Sequence, residues 1–217
     1  MILSPGRSFV FIHIPKTGGT SLALALEDRA KADDILVGDT PKAQRRHKRQ
    51  KALNPRGRLW KHAMLSDIEG IVPDAALDGL FTFTLVRNPW DRAVSYYFWL
   101  RAQRFEHRAV QRALAFSFED FVRHPETKAE FARFPARVYM QRSNGREQCD
   151  LYIRLEHFAE DAVGLFRHLG FEFSLTRANA SERSKDFRCH YSDETAAIIA
   201  EVCAEDITRF GYRFEVA

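Results

Sequence analysis

The start of the sequence constrains the fold most, because an apolar segment, a glycine turn and a helix-forming segment follow one another there. Residues 8–14 (SFVFIHI) are apolar and rich in β-branched and aromatic side chains, which predicts a buried strand. Pro15 ends that strand, and a glycine pair follows within residues 17–19. Residues 20–30 (TSLALALEDRA) strongly favour a helix. A strand, a tight loop and a helix in this order typically open an α/β domain.

The rest of the chain alternates between strand and helix patterns. Apolar segments predict further buried strands over residues 81–86 (FTFTLV) and 151–155 (LYIRL). Helical spacing predicts helices over 66–72, 89–103, 157–169 and 192–210, with helical pieces within 108–135. Capping residues support three of them: Ser66 with Glu69 at the start of the first, Asn88 as the N-cap of the second, and Gly170 at the end of the third. This alternation predicts an α/β domain with a mostly parallel sheet. The length of 217 residues favours one domain spanning residues 1–217.

Composition excludes several classes of protein. No apolar stretch approaches the ~20 residues that a membrane-spanning helix needs, and the first ten residues are too polar for a signal peptide. We therefore expect a cytoplasmic chain with no transmembrane segment. Three cysteines without a CxxC spacing argue against a disulfide framework or a zinc site: Cys149, Cys189 and Cys203.

Positive charge is concentrated in one stretch of the sequence. The whole chain has a formal net charge of only +4, yet residues 42–61 contain nine lysines or arginines and no acidic residue. This basic run lies within a polar, weakly patterned excursion over residues 31–60, for which we predict at most one short helix. The run suits a polyanionic partner, and an ordinary solvated surface explains it equally well.

The loop between the first strand and the first helix, Ile14–Ser21 (IPKTGGTS), has the parts of a phosphate-binding site. Its glycines, Gly18 and Gly19, permit a tight turn that brings backbone N–H groups close to an anion, and the helix N-terminus adds partial positive charge. Lys16 supplies a full charge, and hydroxyl donors come from Thr17, Thr20 and Ser21. The lysine precedes the glycines, so the loop is not a Walker A motif. A tight turn with a solvated lysine is the alternative interpretation.

A second candidate anion site lies in residues 85–95 (LVRNPWDRAVS). Arg87 follows a predicted strand, and ligands of α/β sheets bind beyond the carboxyl ends of strands. Its guanidinium offers a planar fork of donors that suits a phosphate, and Ser95 follows on the next helix. The alternative is that Arg87 pairs with Asp91 and that Ser95 faces the core.

Together these two segments resemble the paired nucleotide-binding motifs of sulfotransferases that use 3′-phosphoadenosine 5′-phosphosulfate (PAPS). The group most similar includes the heparan-type 2-O-sulfotransferases and bacterial relatives. Four further segments resemble parts of that family: KHAMLSDI around His62, YIRLEHFAED, ANASERSKDFRCHY and DITRFGYRF. The resemblance implies a P-loop-NTPase-like, three-layer α/β/α fold in a single domain, with a central, mostly parallel sheet. The least similar parts are the excursion 31–60 and residues 104–148, a helical insertion expected on the acceptor side.

The resemblance also assigns roles to residues. It implies in-line, metal-independent transfer of a sulfuryl group, with adenosine 3′,5′-bisphosphate (PAP) as the product. Lys16 would stabilise the leaving phosphate, and His62 would be the general base. Backbone N–H groups of residues 18–20 would hold the 5′-phosphate. The 3′-phosphate would be bound by Arg87 and Ser95, with added charge from Arg183 and Lys185.

The acceptor is the least defined part of the hypothesis. We expect a hydroxyl of a carbohydrate or a similar polar molecule, anionic if the basic run binds it, and no nucleic acid; the oligomeric state is not predicted. Two other functions fit parts of the sequence. A nucleotide kinase or ATPase would need the Walker A lysine, and a non-catalytic polyanion-binding module would rely on the basic run alone.

Overall fold

The computed structural model describes residues 1–176, 184 and 186–215, which form two compact units. The first unit comprises Met1–Val86 and Ala136–Asn179, and the second comprises Arg87–Pro135 and Ala180–Ala217. Each unit is built around its own cluster of buried apolar side chains. The assignment of residues 1–217 to one domain stays a prediction.

A five-stranded mixed sheet organises the first unit. Its strands are β1 (Ile2–Ser4), β2 (Phe9–Ile12), β3 (Ile35–Leu36), β4 (Phe81–Val86) and β5 (Leu151–Arg154), in the order β3-β1-β2-β4-β5. The three predicted strands became β2, β4 and β5, and they pair in parallel; β1 pairs antiparallel with both β2 and β3. The α/β class is confirmed, and the two additional strands are too short to show a periodic pattern.

Both units contain helices. Numbered along the chain, they are α1 (Gly19–Asp28), α2 (Pro41–Arg46), α3 (Asp74–Asp78), α4 (Pro89–Arg101), α5 (Arg108–Ala115), α6 (Phe118–Arg123), α7 (Pro125–Arg133), α8 (Ala136–Tyr139), α9 (Phe158–Asp161), α10 (Val163–Leu169), α11 (Asp193–Val202) and α12 (Ala204–Phe210). Short 3-10 helices cover Pro5–Arg7, His47–Ala52, Leu155–His157 and Phe187–His190. No helix in the described part of the chain is both long and apolar enough to cross a membrane.

Some helix predictions were wrong in detail. The helix expected over 66–72 is absent from these described residues, which form turns, and the nearest helix starts at Asp74. Glu69, expected to complete a capping box, instead accepts hydrogen bonds from Arg142 and from the Ser143 N–H. The helices expected over 157–169 and 192–210 are each divided into two, α9 with α10 and α11 with α12.

Aromatic residues of neighbouring strands form the core of the first unit. Phe83 of β4 packs against Phe9 and Phe11 of β2, with ring centroids 5.7 and 5.5 Å apart. Leu22 and Leu26 of α1 are buried in the same cluster, so one face of that helix packs into it. The strand and the helix that flank the glycine loop are thereby fixed in one core, because burial of such side chains is the main stabilising term in folding.

The basic excursion is more ordered than its sequence suggested. The single short helix predicted there is present as α2, capped by the Thr40 hydroxyl. Several of its long side chains donate to main-chain carbonyls at or beyond the end of α1, with acceptors Glu27 for Lys42, Lys31 for Arg46 and Ala32 for Arg49. Cations near a helix C-terminus are favoured by its free carbonyls and dipole. Part of the basic run therefore serves the fold.

The second unit is helical and contains its own buried ion pair. Its core includes Trp90 and Tyr97 of α4 together with Ile199 of α11. Arg112 of α5 is 6% exposed and pairs with two acids of α7, Glu126 and Glu130. Because a buried arginine needs such partners, this pairing ties α5 to α7 within the unit.

Candidate functional site

The glycine loop, residues 14–21, connects β2 to α1 in a conformation that few residues adopt. Lys16 has a φ of 67° and Gly18 a φ of 86°, both in the left-handed region. A non-glycine residue there is uncommon, and such strain is concentrated at functional sites. The buried Thr17 hydroxyl donates to the Ile14 carbonyl at 2.9 Å and closes the turn from inside.

Among the described residues, no side chain caps the start of α1. Gly18 is its N-cap residue and provides no side-chain hydrogen bond, while the N–H groups of Ser21 and Leu22 bond to the Gly18 carbonyl. The helix has ten residues, long enough for an appreciable dipole. An uncapped N-terminus beside a half-buried lysine is a suitable place for a phosphate.

His13 packs directly beneath that helix start. A Cβ atom on Gly19 would lie 2.1 Å from His13 Cδ2, so the backbone approaches the imidazole more closely than any other residue type allows. His13 is 6% exposed and is therefore a packed core residue. Burial, followed by the charges of His62 and of nearby cations, lowers its pKa well below the ordinary histidine value. The ring is therefore neutral at pH 7.

His62 lies in a segment that has no regular structure. Residues 53–73, all of them described, contain neither helix nor strand; we call them the His62 segment. His62 Nδ1 lies 2.7 Å from the His13 carbonyl oxygen, and the two imidazole centroids are 4.6 Å apart. The structure thus brings the predicted base next to the residue that precedes the glycine loop.

This contact determines which nitrogen of His62 can act as a base. A carbonyl oxygen only accepts hydrogen bonds, so the proton of the neutral ring lies on Nδ1 and the lone pair on Nε2. Burial lowers the pKa of His62 to about 4, against the opposing effect of the bond to His13. The basic form is therefore fully populated at neutral pH, because this pKa lies well below the ~6.5 that is usual for histidine.

The far end of the His62 segment is fixed by an ion-pair network centred on a buried arginine. Arg142 is 7% exposed and donates from Nε to Glu69 Oε1 at 2.6 Å. Its two Nη atoms donate to Asp78 at 2.7 Å and to Asp74 at 3.0 Å. Burial alone would raise the pKa of Glu69, but the hydrogen bonds from Ser143 and Arg142 lower it to about 2.

Arg87 and Ser95 belong to the second unit. Asp91 Oδ2 accepts from Arg87 Nε at 2.8 Å and from Nη2 at 2.6 Å, which is the pairing considered as the alternative. The predicted N-cap of α4 is confirmed, since the Asn88 side chain accepts from the N–H groups of Trp90 and Asp91. Ser95 is buried on α4. The Asp91 contact orients the guanidinium and leaves the phosphate-binding role of Arg87 a prediction.

The predicted site residues divide into three groups. The first unit holds His62 and the glycine loop residues Lys16, Thr17, Gly18, Gly19, Thr20 and Ser21; the second holds Arg87 and Ser95. Arg183 and Lys185 lie outside the described residues. Within the described part of the chain, no group of three or more His, Cys, Asp or Glu side chains could hold a metal ion.

Sequence reasoning missed the contact that orients the base. His13 and His62 are 49 positions apart, and nothing in the local pattern of either segment indicates that they meet. It also did not single out Trp60, whose ring centroid lies 5.1 Å from that of His62.

Comparison with known proteins finds a family model and solved structures that are similar to the chain. A family model described as the sulfotransferase family matches residues 1–213. Among solved structures, the chain is similar to mouse sulfotransferase SULT7A1 complexed with PAP, at 17% identity over 94% of this chain and 67% of that one, with a TM-score of 0.39. It is also similar to a sulfotransferase from Alicyclobacillus acidocaldarius, at 19% identity over 95% and 96% of the two chains, with a TM-score of 0.38. None of the curated proteins compared with the sequence matches it.

Proposed function

We propose an acceptor and a mechanism for this chain, which belongs to the sulfotransferase family and is a PAPS-dependent enzyme. It transfers the sulfuryl group to a hydroxyl of a carbohydrate or a similar polar acceptor. Lys16 stabilises the leaving phosphate, His62 is the base, and no metal takes part. Family membership decides against the nucleotide kinase and the non-catalytic module.

The glycine loop fits the 5′ end of PAPS. PAPS supplies a sulfuryl group joined to its 5′-phosphate through one bridging oxygen. The uncapped N-terminus of α1 offers the N–H groups of Gly19 and Thr20 to that phosphate. Lys16, held in its left-handed conformation, provides a full positive charge where the bridging oxygen gains negative charge.

The observation that carries the proposal is the 2.7 Å contact between His62 Nδ1 and the His13 carbonyl. It leaves Nε2 unprotonated, so this atom can take the proton of the acceptor hydroxyl as the new S–O bond forms and the S–O bond to the bridging oxygen breaks. The electron pair of the broken bond leaves with PAP. Histidine is the commonest residue in this role, and the work of the protein is mainly positioning.

The 3′ end of the donor is assigned on motif grounds. We propose that Arg87 and Ser95 bind the 3′-phosphate, with Arg183 and Lys185 adding charge. Support comes from the match of residues 85–95 to the family pattern and from the Asp91 contact, which holds the Arg87 guanidinium in a fixed orientation.

The experiment compares His62→Asn, His62→Ala and Lys16→Met. The Asn amide nitrogen can replace Nδ1 and keep the hydrogen bond to His13, but Asn has no basic atom. We expect both His62 variants to lose turnover by ~10²-fold or more, and Lys16→Met by ~10²–10³-fold. PAP affinity, measured by calorimetry, should change little in His62→Asn.

Lys51→Met is the matched control, since it removes an exposed lysine of the first unit outside the glycine loop. Wild-type turnover in His62→Asn would exclude His62 as the base. Full activity in Lys16→Met would exclude charge stabilisation by the loop.

A further inference from the structure

Lys61, the residue before the proposed base, pairs with a carboxylate from another part of the first unit. Its Nζ atom donates a hydrogen bond to Asp39 Oδ2 at 2.5 Å. Asp39 lies between β3 and α2, 22 positions before Lys61 in the sequence. Two opposite charges therefore meet next to His62, and the side chains that carry them are 31% and 58% exposed.

The main chains around this pair are held side by side. The Met1 amine donates to the Val37 carbonyl at 2.8 Å and to the Lys61 carbonyl at 3.0 Å. A Cβ atom on Gly38 would lie 3.9 Å from Lys61 Cβ, which is ordinary van der Waals contact. The backbone of both segments therefore fixes where the ion pair lies.

Other neighbours of the His62 ring contribute little charge at neutral pH. The His13 ring is neutral at pH 7, because burial lowers its pKa well below the ordinary histidine value. Burial also lowers the pKa of the Met1 amine to about 5, so most of it is unprotonated at that pH. The Trp60 indole is uncharged, and Arg58 lies over the indole, 5.4 Å from its ring centroid.

The two charges of the ion pair act on His62 in opposite directions. Burial is the main cause of its low pKa, and the bond to the His13 carbonyl opposes burial. Beyond these two effects, the Lys61 charge lowers the pKa of His62 and the Asp39 charge raises it. A general base is most effective when its pKa lies near the working pH, so a counter-charge that favours the protonated ring strengthens His62.

We propose that Asp39 and Lys61 are positioning residues for His62, Asp39 as the counter-ion of its protonated ring and Lys61 as the charge that limits this effect. The inference rests on the proposed function and concerns the same site. When His62 Nε2 takes the proton of the acceptor hydroxyl, Nδ1 keeps its own proton and the ring becomes an imidazolium. The Asp39 carboxylate stabilises that cation, and the Lys61 ammonium opposes it.

The proposal predicts opposite results for the two partners of one ion pair. Asp39→Asn leaves the Lys61 charge uncompensated beside His62 and weakens the base. Lys61→Met leaves the Asp39 charge and strengthens the base, which stays unprotonated at pH 7 because its pKa starts at about 4. If the pair only joined two segments, either variant would remove the same contact and both would have the same effect.

NMR titration of His62 tests the charges without any acceptor. The probe is the proton itself, followed on ¹³C-labelled histidine rings, with the His62 signal assigned by its loss in His62→Asn. We expect Asp39→Asn to lower the proton affinity of His62 and Lys61→Met to raise it, each by about two- to fivefold, as is typical of partly exposed charges. Both differences should shrink in about 1 M salt, where charges are screened over about 3 Å.

The rate of a single turnover, in the assay used for the His62 and Lys16 variants, tests the effect on transfer. We expect Asp39→Asn to be slower than the wild type by about two- to fivefold and Lys61→Met to be faster by up to the same factor. Lys61→Arg keeps the charge and should behave as the wild type. The matched controls are Asp33→Asn and Lys51→Met, which remove exposed charges of the first unit from outside this pair.

Failure of this inference is distinguishable from failure of the proposed function. Proton affinities that move in the same direction in Asp39→Asn and Lys61→Met, or in neither, would overturn it, and so would opposite proton affinities with equal turnover rates. These outcomes leave sulfuryl transfer and its dependence on Lys16 and His62 intact. Conversely, opposite shifts of the proton affinity in a protein that never transfers sulfate would support the action of the pair on His62 and reject the proposed reaction.

Discussion

The glycine loop and the His62 segment lie next to each other in the first unit, yet different kinds of interaction hold them. The loop is defined by residues near it in sequence: the Thr17 hydroxyl bonds to the Ile14 carbonyl, Gly18 adopts a left-handed conformation, and α1 begins at Gly19. The His62 segment has no regular structure, and distant residues hold it, namely His13, Tyr139 and Arg142. A conformation fixed by local chemistry can be recognised in a sequence, whereas one fixed by distant partners cannot.

The strongest test of this difference is Arg142→Met, which removes the cation of the distant network. Glu69 is 7% exposed and would be left as a buried carboxylate without its main partner. Loss of one partner of a buried ion pair costs about 3–5 kcal/mol. We expect the free energy of unfolding in urea to fall by about 3 kcal/mol, and turnover to fall with it because the His62 segment loses an anchor.

The matched control for that variant is the double change Arg142→Met with Glu69→Gln. Removing the uncompensated charge should restore part of the lost stability, since contacting residues are not additive. If the single variant is as stable as the wild type, the network does not hold the segment.

The features that could be predicted from the sequence are likewise those fixed by nearby residues. Strands β2, β4 and β5, the Asn88 cap and the end of α10 at Gly170 were predicted because apolar runs and capping residues are local signals. The prediction of a helix over 66–72 was wrong because Glu69, which has the spacing of a capping residue, accepts a hydrogen bond from Arg142, 73 positions away. For the site, the loop was recognisable from its motif, whereas the His13 contact and the low pKa of His62 depend on tertiary burial.

A second test concerns the loop itself and uses two glycines. Helix propensity alone predicts that Gly19→Ala stabilises the protein by up to ~1 kcal/mol. The structure predicts the opposite, because the new Cβ would lie 2.1 Å from His13 Cδ2. Overpacking of a core costs about 1–3 kcal/mol, so after the gain in helix propensity we expect a net loss of up to about 2 kcal/mol, together with weaker PAP binding.

Gly145→Ala separates packing from backbone effects in that experiment. Gly145 has a φ of 83°, and the described residues place no atom within 4 Å of the position that the new methyl group would occupy, so only the left-handed conformation opposes the change. That penalty is about 1 kcal/mol, with no effect on PAP affinity. A stabilised Gly19→Ala variant would show that the start of α1 has room for a Cβ atom beside His13.

The smallest predicted effect arises where the two regions touch, at the His13–His62 pair. Burial lowers the pKa of His62 from 6.5 to about 4 in the folded protein. Between these values the unfolded chain binds a proton that the folded protein does not, so the free energy of unfolding falls as the pH falls. The contribution of His62 is present above pH 6.5 and is lost progressively toward pH 4. From pH 7 to pH 5.5 we expect a loss of about 1 kcal/mol.

The measurement is the difference in unfolding free energy between wild type and His62→Asn, taken at pH 7 and at pH 5.5. Asn keeps the bond to His13 but does not titrate, so the difference isolates the imidazole of His62 from His13 and from the carboxylates. His47→Asn, which removes an exposed imidazole of the same unit, is the control. If wild type and His62→Asn lose the same stability, His62 is accessible to protons in the folded protein. The contact with His13 would then not keep the base neutral, and the His62 segment would not be held against the residue that precedes the glycine loop.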